Sequence, residues 1–385
     1  MSGFLDKGRL SERGAVTTGL VVLNFGGPQK QEEVESFLFE LFADPDVIKL
    51  PIGGPRAQRL FAERLSRSRA PKVAAQYEKI GYSPLVPTTR RQVDALKRAL
   101  GERLGERAPK IYTGMRYTRP TMAEAVAEIA RDRPGRLVAL ALYPHYSGTT
   151  TGSSFNAFSA ELSRAGLGRL PVRYIPAFYD HPRYLDAMQK GIEEAFTRTR
   201  DRNEAHLLFS AHGLPSAYFR AGDPYPTQIQ ETVRFLVRRL DWRGPHSLSF
   251  QSRVGPARWL EPSTETEIRR VIATGKKEIV IVPVSFVSDH IETLYEIDVT
   301  FQEAAEAAGG KLIRTRALDE HPDFIDCLAE VVAKALEDDR WQGLGEHRCV
   351  RCLLPKPHEH RMKVQCMDCG FRTPEYLLRL PPVHD

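Results

Sequence analysis

The chain has 385 residues, 42% hydrophobic and 27% charged, with a net charge of +6. That is an ordinary soluble globular composition, with material for two or three domains at about 150 residues each. It excludes a membrane-spanning chain, because the longest apolar runs (137–143 and 279–287) fall far short of the roughly 20 residues that cross a bilayer, and its mild basicity is no nucleic-acid signature.

Residues 1–17 carry charge and glycine but no apolar signal core, so they read as an N-terminal extension of a cytoplasmic protein. Gly19-Leu20-Val21-Val22-Leu23 then reads as a buried strand stopping at Asn24-Phe25-Gly26-Gly27-Pro28, with a helical pattern over 31–42. Between 48 and 72, Lys49, Arg56, Arg59, Arg64, Arg67, Arg69 and Lys72 interleave with Ile52, Leu60, Phe61 and Leu65. This is either a solvated helix face or a basic, partly apolar rim for an anionic ligand or a membrane surface. A strand at 110–112 leads to Gly114-Met115-Arg116-Tyr117, and a helix covers 121–131. Strands at 136–142 and 170–175 follow, the first ending in Tyr143-Pro144-His145-Tyr146-Ser147. Thr149-Thr150-Thr151-Gly152-Ser153-Ser154 could cradle phosphate, but it lacks both Gly-Lys-Ser/Thr and G-x-G-x-x-G, so no nucleotide is expected.

The second half repeats the plan. Residues 206–209 form a strand that stops at Ser210-Ala211-His212-Gly213-Leu214-Pro215. His212 therefore stands at the carboxyl end of a strand, where open α/β sheets bind ligands. Its imidazole can take a proton near neutral pH or bind a metal ion; a histidine that merely satisfies a backbone carbonyl would look the same. Thr227, with Gln230 three residues on, reads as a capping box opening a helix to 240. Residues 247–250 lead to Gln251-Ser252-Arg253-Val254-Gly255-Pro256. Residues 278–287 read as a strand running into a helix from Asp289 to Gly309-Gly310. The last strand is 311–314 and the last long helix 322–336, where Cys327 sits at core spacing. The alternation predicts an α/β fold of two similar halves, 18–185 and 186–342, each a parallel sheet flanked by helices, with a central cleft between them.

Asp289, Glu292, Glu296 and Thr300 follow one another at spacings of three, four and four, on one helix face. Like charges there repel, so the row is either a solvated acidic face or a line that passes a hard cation or protons. Asp289 and Glu292 also suit a helix N-terminus. From 343 to 385 the periodic pattern stops. Cys349-x2-Cys352 and Cys366-x2-Cys369, thirteen residues apart, make a four-thiolate site for zinc or for a 2Fe–2S cluster, with His347, His358 and His360 nearby.

Taken together, the Asn24, Arg116, Ser147–Ser154, His212, Gln251 and Asp289 motifs, in this order over about 18–335, resemble the ferrochelatase family. The resemblance implies two Rossmann-like halves around a porphyrin cleft and a lyase that inserts Fe(II) into protoporphyrin IX as the final step of haem synthesis. It implies His212 and Glu292 as the groups that meet the metal and the pyrrole protons, with Asp289, His290 and Glu296 tuning or relaying. Phe25, Arg69, Tyr77, Arg116, Tyr117, Ser147 and Trp259 would line the porphyrin pocket. Phe25 stands where members acting on coproporphyrin tend to carry Tyr, which favours protoporphyrin. Thr300 stands where some members carry a further carboxylate. Gly148 stands where members with an internally ligated cluster carry Cys. The tail supplies a fourth thiol instead, so the resemblance favours a 2Fe–2S cluster on Cys349, Cys352, Cys366 and Cys369 over structural zinc. The implied partners are protoporphyrin IX, Fe2+ and a membrane surface met through 48–72, with no nucleic acid; a homodimer is compatible. The competing readings are a coproporphyrin III ferrochelatase, a cobalt or nickel tetrapyrrole chelatase, and a non-catalytic tetrapyrrole carrier.

Overall fold

Two four-stranded sheets with the same internal order form the frame. The first runs β2-β1-β3-β4, from β1 (Thr18–Asn24), β2 (Lys110–Met115), β3 (Arg136–Ala141) and β4 (Val172–Ile175). The second runs β6-β5-β7-β8, from β5 (His206–His212), β6 (His246–Gln251), β7 (Glu278–Pro283) and β8 (Lys311–Arg314). Every pairing is parallel. The computed structural model describes residues 17–48, 50, 54–253, 255 and 257–337. In each sheet the order reverses beside the first strand, so the crevice beyond β1 and β5 is where ligands are taken.

The central strands are continuously apolar because helices cover both faces. Leu20 to Leu23 and Leu207 to Phe209 are wholly buried. The helices are α1 (Val34–Ala43), α2 (Gly54–Lys79), α3 (Leu85–Leu104), α4 (Met122–Asp132), α5 (Ser153–Arg164) and α6 (Pro182–Phe196) in the first part of the chain. They continue with α7 (Ser216–Arg220), α8 (Tyr225–Arg239), α9 (Thr264–Ala273), α10 (Gln302–Ala307) and α11 (Pro322–Glu337). Thr121 caps α4 through a reciprocal pair of hydrogen bonds with Glu124.

One apolar cluster runs through both halves. It joins Leu20 and Val138 of the first sheet to Leu207, Phe209 and Val280 of the second through α6 and α11. Although α11 is last in the chain, it packs on α3 and α6 and reaches β3 and β4. Cys327 is wholly buried in this cluster, as its helical spacing predicts. The two sheets are thus fixed to each other, and a site between them is held from both sides.

Three local expectations change. The strand read over 278–287 ends at Pro283, which has no N–H for the ladder. Thr227 is not a cap: α8 starts at Tyr225 with Pro226 in its first turn, and Thr227 is buried within it. The helix expected from Asp289 begins at Glu292 and is π-helical over Glu292–Phe301 before passing into α10. Cys349, Cys352, Cys366 and Cys369 lie outside the described residues, as do residues 1–16 and Lys49, Ile52, Val254 and Pro256.

Candidate active site

The strand-end position of His212 is built by backbone contacts. His212 N–H donates to Ser285 Oγ at 2.9 Å, and Tyr225 O–H donates to the His212 carbonyl at 3.0 Å. The next residue must be glycine. A Cβ at Gly213 would fall 2.5 Å from the Gln251 carbonyl and 3.1 Å from the Trp259 ring. The side chain is free to do chemistry, because its backbone is fixed without it.

His212 Nδ1 lies 2.8 Å from Glu292 Oε2. Burial alone would lower the imidazolium pKa, but the Glu292 carboxylate outweighs it, with help from Glu296, and the net displacement is upward. Glu292 shows the reverse balance. Burial would raise it, but His212 and His290 hold its carboxyl well below the usual range. His290 Nε2 sits 3.5 Å from the same Glu292 oxygen, and its Nδ1 is 3.0 Å from the Ser288 carbonyl. The Phe286 ring lies 4.4 Å from the His290 ring and 6.2 Å from that of His212. This is an acid–base pair with a second imidazole behind it. With Nδ1 engaged, His212 Nε2 is the nitrogen left to meet a substrate.

The acidic row does not stay together. Glu296 remains beside Glu292, where it accepts from Ser252 N–H at 2.9 Å, from the Ser252 hydroxyl and from Gln251 Nε2 at 3.2 Å. Burial and the neighbouring Glu292 charge nevertheless raise its pKa. Gln251 Nε2 also donates to the Glu292 carbonyl at 2.9 Å. Asp289 instead accepts from Thr293 at 2.8 Å and pairs with Arg314 at 2.8 Å. Thr300 is exposed. The row divides because Asp289 precedes the helix, which begins at Glu292 and takes the wider i→i+5 form.

The other wall comes from the first half. Phe25, Phe37, Tyr77 and Tyr117 form an edge-to-face aromatic group, with Phe25 4.6 Å from Tyr117. Ile291, from the stretch before the π-helix, packs against it, and Lys79 Nζ lies 5.5 Å from the Tyr295 ring centroid. Arg116 stacks on Tyr117 and pairs with Asp44 at 2.7 Å. Asp44, its side chain wholly buried, also accepts from Tyr117 at 2.6 Å and from the Ser153 hydroxyl. Arg116 is therefore held by a buried acid, and Asp44 is a site residue that sequence reasoning missed. Nothing in local spacing marks an acid whose Arg116, Tyr117 and Ser153 partners lie 72 residues and more away.

Ser147 is buried and donates to Asp223 at 2.9 Å, placing it in the loop that leads into the π-helical turn Gly148–Gly152. Asp223 also takes N–H bonds from Gly148 and Tyr225. The Trp259 indole N–H is buried and has no hydrogen-bond partner among the described residues. Arg69 is half-buried on α2. The structure thus brings His212, His290, Glu292 and Glu296 together, with Phe25, Tyr77 and Tyr117 in the first-half aromatic cluster against which Ile291 packs.

Comparisons with known proteins point to one family. A model of the ferrochelatase family matches residues 17–336. A ferrochelatase of Synechocystis sp. is 46% identical over 324 residues, 83% of this chain and 83% of that protein. A ferrochelatase of Geotalea daltonii is 46% identical over 317 residues, 82% of this chain and 97% of that protein. Among solved structures, SirB from Bacillus subtilis with Fe3+ aligns over 85% of this chain and 98% of that chain at 10% identity, with a TM-score of 0.49. From the match of the family model and the 46% identity of these relatives, the chain belongs to the ferrochelatase family, enzymes that insert a metal ion into a porphyrin.

Proposed function

We propose that the chain inserts Fe(II) into protoporphyrin IX and releases both pyrrole protons, with His212 as the proton acceptor and Glu292 as its partner. The observation that carries this is the 2.8 Å His212–Glu292 contact at the carboxyl end of β5. In the neutral imidazole, Nδ1–H points to Glu292 and the Nε2 lone pair faces the ring. A pyrrole N–H proton moves to Nε2, and Glu292 stabilises the imidazolium that forms. Glu292 and His290 then offer the next acceptors outward. The aromatic group around Phe25 and Tyr117 suits a flat ring, and the family resemblance, with Phe25 where members acting on coproporphyrin tend to carry Tyr, favours protoporphyrin over coproporphyrin III.

An anaerobic assay with Fe(II) and protoporphyrin IX tests the reading: porphyrin fluorescence should fall and the haem spectrum appear. Porphyrin that binds and stays unmetalated would leave a carrier. Faster turnover with coproporphyrin III, or with cobalt or nickel, would reassign the substrate or the metal.

We propose further that α2 meets an anionic membrane surface. Leu60 and Phe61 are 61% and 36% exposed on this basic helix, and among the described residues no helix is long and apolar enough to cross a membrane. The chain is expected to sediment with phosphatidylglycerol vesicles at low salt and to lose binding in Leu60→Ser/Phe61→Ser. Equal sedimentation of both proteins removes the proposal.

For the tail, we propose a 2Fe–2S cluster on Cys349, Cys352, Cys366 and Cys369. The purified protein should be reddish-brown with about two irons and two labile sulfides per chain, since zinc gives no colour. Ser at any one of the four should bleach it, while Cys327→Ser should not. Colourless protein replete in zinc would replace the cluster with a zinc site.

A further inference from the structure

A ten-residue π-helix is an unusual element to place beneath a catalytic pair. It must be held by tertiary contacts. On the cleft side Gln251 and Ser252, at the end of β6, hold Glu292 and Glu296. On the other side Arg314 does the corresponding work. Arg314, the last residue of β8, donates from Nε to Asp298 Oδ1 at 2.7 Å and from Nη2 to Asp298 Oδ2 at 2.8 Å. Its Nη1 reaches Asp289 Oδ1 at 2.8 Å. The arginine side chain is only 14% exposed. Asp298 lies within the π-helix, and Asp289 lies just before it, bound to Thr293 in its first turn. One guanidinium thus spans the entrance and the middle of the segment that carries Glu292.

We propose that Arg314 is a positioning residue: through Asp289 and Asp298 it holds the segment from 292 to 301 in π-helical register and so sets where Glu292 stands against His212. This gives Asp289 a place in the clamp through its Oδ1. The clamp depends on a planar fork that binds one carboxylate with two parallel bonds while reaching a second, which lysine cannot reproduce. The clamp is also reachable. A cavity of about 370 Å³ opens beside it, lined by Arg314, Asp298, Ile297, Gln302, Arg198 and Lys311 among others. Once the Arg314 side chain is removed, a guanidinium ion is expected to enter there beside Asp298.

The proposal rests on the His212–Glu292 reading only for its activity arm, so two measurements are paired on the full chain. In Arg314→Ala, hydrogen exchange of the amides over 292–301 should quicken at least ~10-fold, while β5 and β7 stay protected. Turnover should drop about 10–100-fold with the porphyrin KM little changed, as for partners that orient a ligand-bearing group. Millimolar guanidinium should restore both readouts in Arg314→Ala, and Arg314→Lys should restore neither. Asp298→Asn should reproduce the loss, and the double variant Arg314→Ala/Asp298→Asn should lose no more than Arg314→Ala alone. Unchanged exchange over 292–301 overturns the proposal, and so does protection lost throughout the protein. Full turnover despite rapid local exchange overturns the positioning role. If Arg314→Ala does not yield folded protein, Asp298→Asn carries the same pair of measurements. If the wild-type chain metalates no porphyrin, the exchange arm still decides the clamp.

Discussion

His212→Ala is expected to bind protoporphyrin IX about as tightly as the wild-type chain and to metalate it about 10²–10⁴-fold more slowly, the usual cost of removing a positioned acid–base group. The fold should survive, because the position is fixed by backbone contacts to Ser285 and Tyr225 and by the glycine that follows. Retention of more than about a tenth of wild-type turnover would remove His212 from the reaction. The pH profile gives the same residue a second test. Only the neutral imidazole can accept a proton, so activity should fall as pH drops through the His212 pKa. Burial works to lower that pKa and the Glu292 charge more than reverses it, so the inflection should stand above the ordinary histidine value.

Glu292→Gln should reduce turnover about 10²-fold or more, and Glu296→Gln by less than about tenfold. The difference follows from their partners. Glu292 touches the His212 ring, whereas Glu296 is turned to Ser252 and Gln251. The substitutions keep shape, so the comparison isolates charge. In Glu292→Gln the acid inflection should also move down, since burial remains and the largest opposing charge is gone. Equal losses in the two variants, or an inflection that stays in place, would contradict this assignment.

The strand ends were legible because a buried parallel strand is a continuous apolar run that stops where polar loop residues begin. That pattern put both Asn24 and His212 at carboxyl ends, and the structure has β1 end at one and β5 at the other. The acidic row was legible as composition but not as geometry. Counting at 3.6 residues per turn cannot show a π-helix, which is held by Gln251 and Arg314 at the ends of two other strands and by Ser252 just beyond the first. The cap assigned to Thr227 failed because Pro226, which suits the first turn of a helix, sits one residue before it. Arg116 was visible as a cation beside an aromatic residue, but its neutralisation by Asp44 depends on chain segments that meet only in the fold.

The matching strand orders carry one more consequence. Asn24 and His212 occupy equivalent ends of the central strands in two halves built on one plan. Asn24 is buried and spent on its surroundings: its amide donates to Thr89 and its oxygen accepts from the Phe25 N–H. A porphyrin is nearly the same from above and below, but the ends of these two strands are not alike. One offers a titrating ring and the other an amide that exchanges no proton. With His212 in its proposed role, the duplicated scaffold would deprotonate a two-faced substrate from the side of the second half.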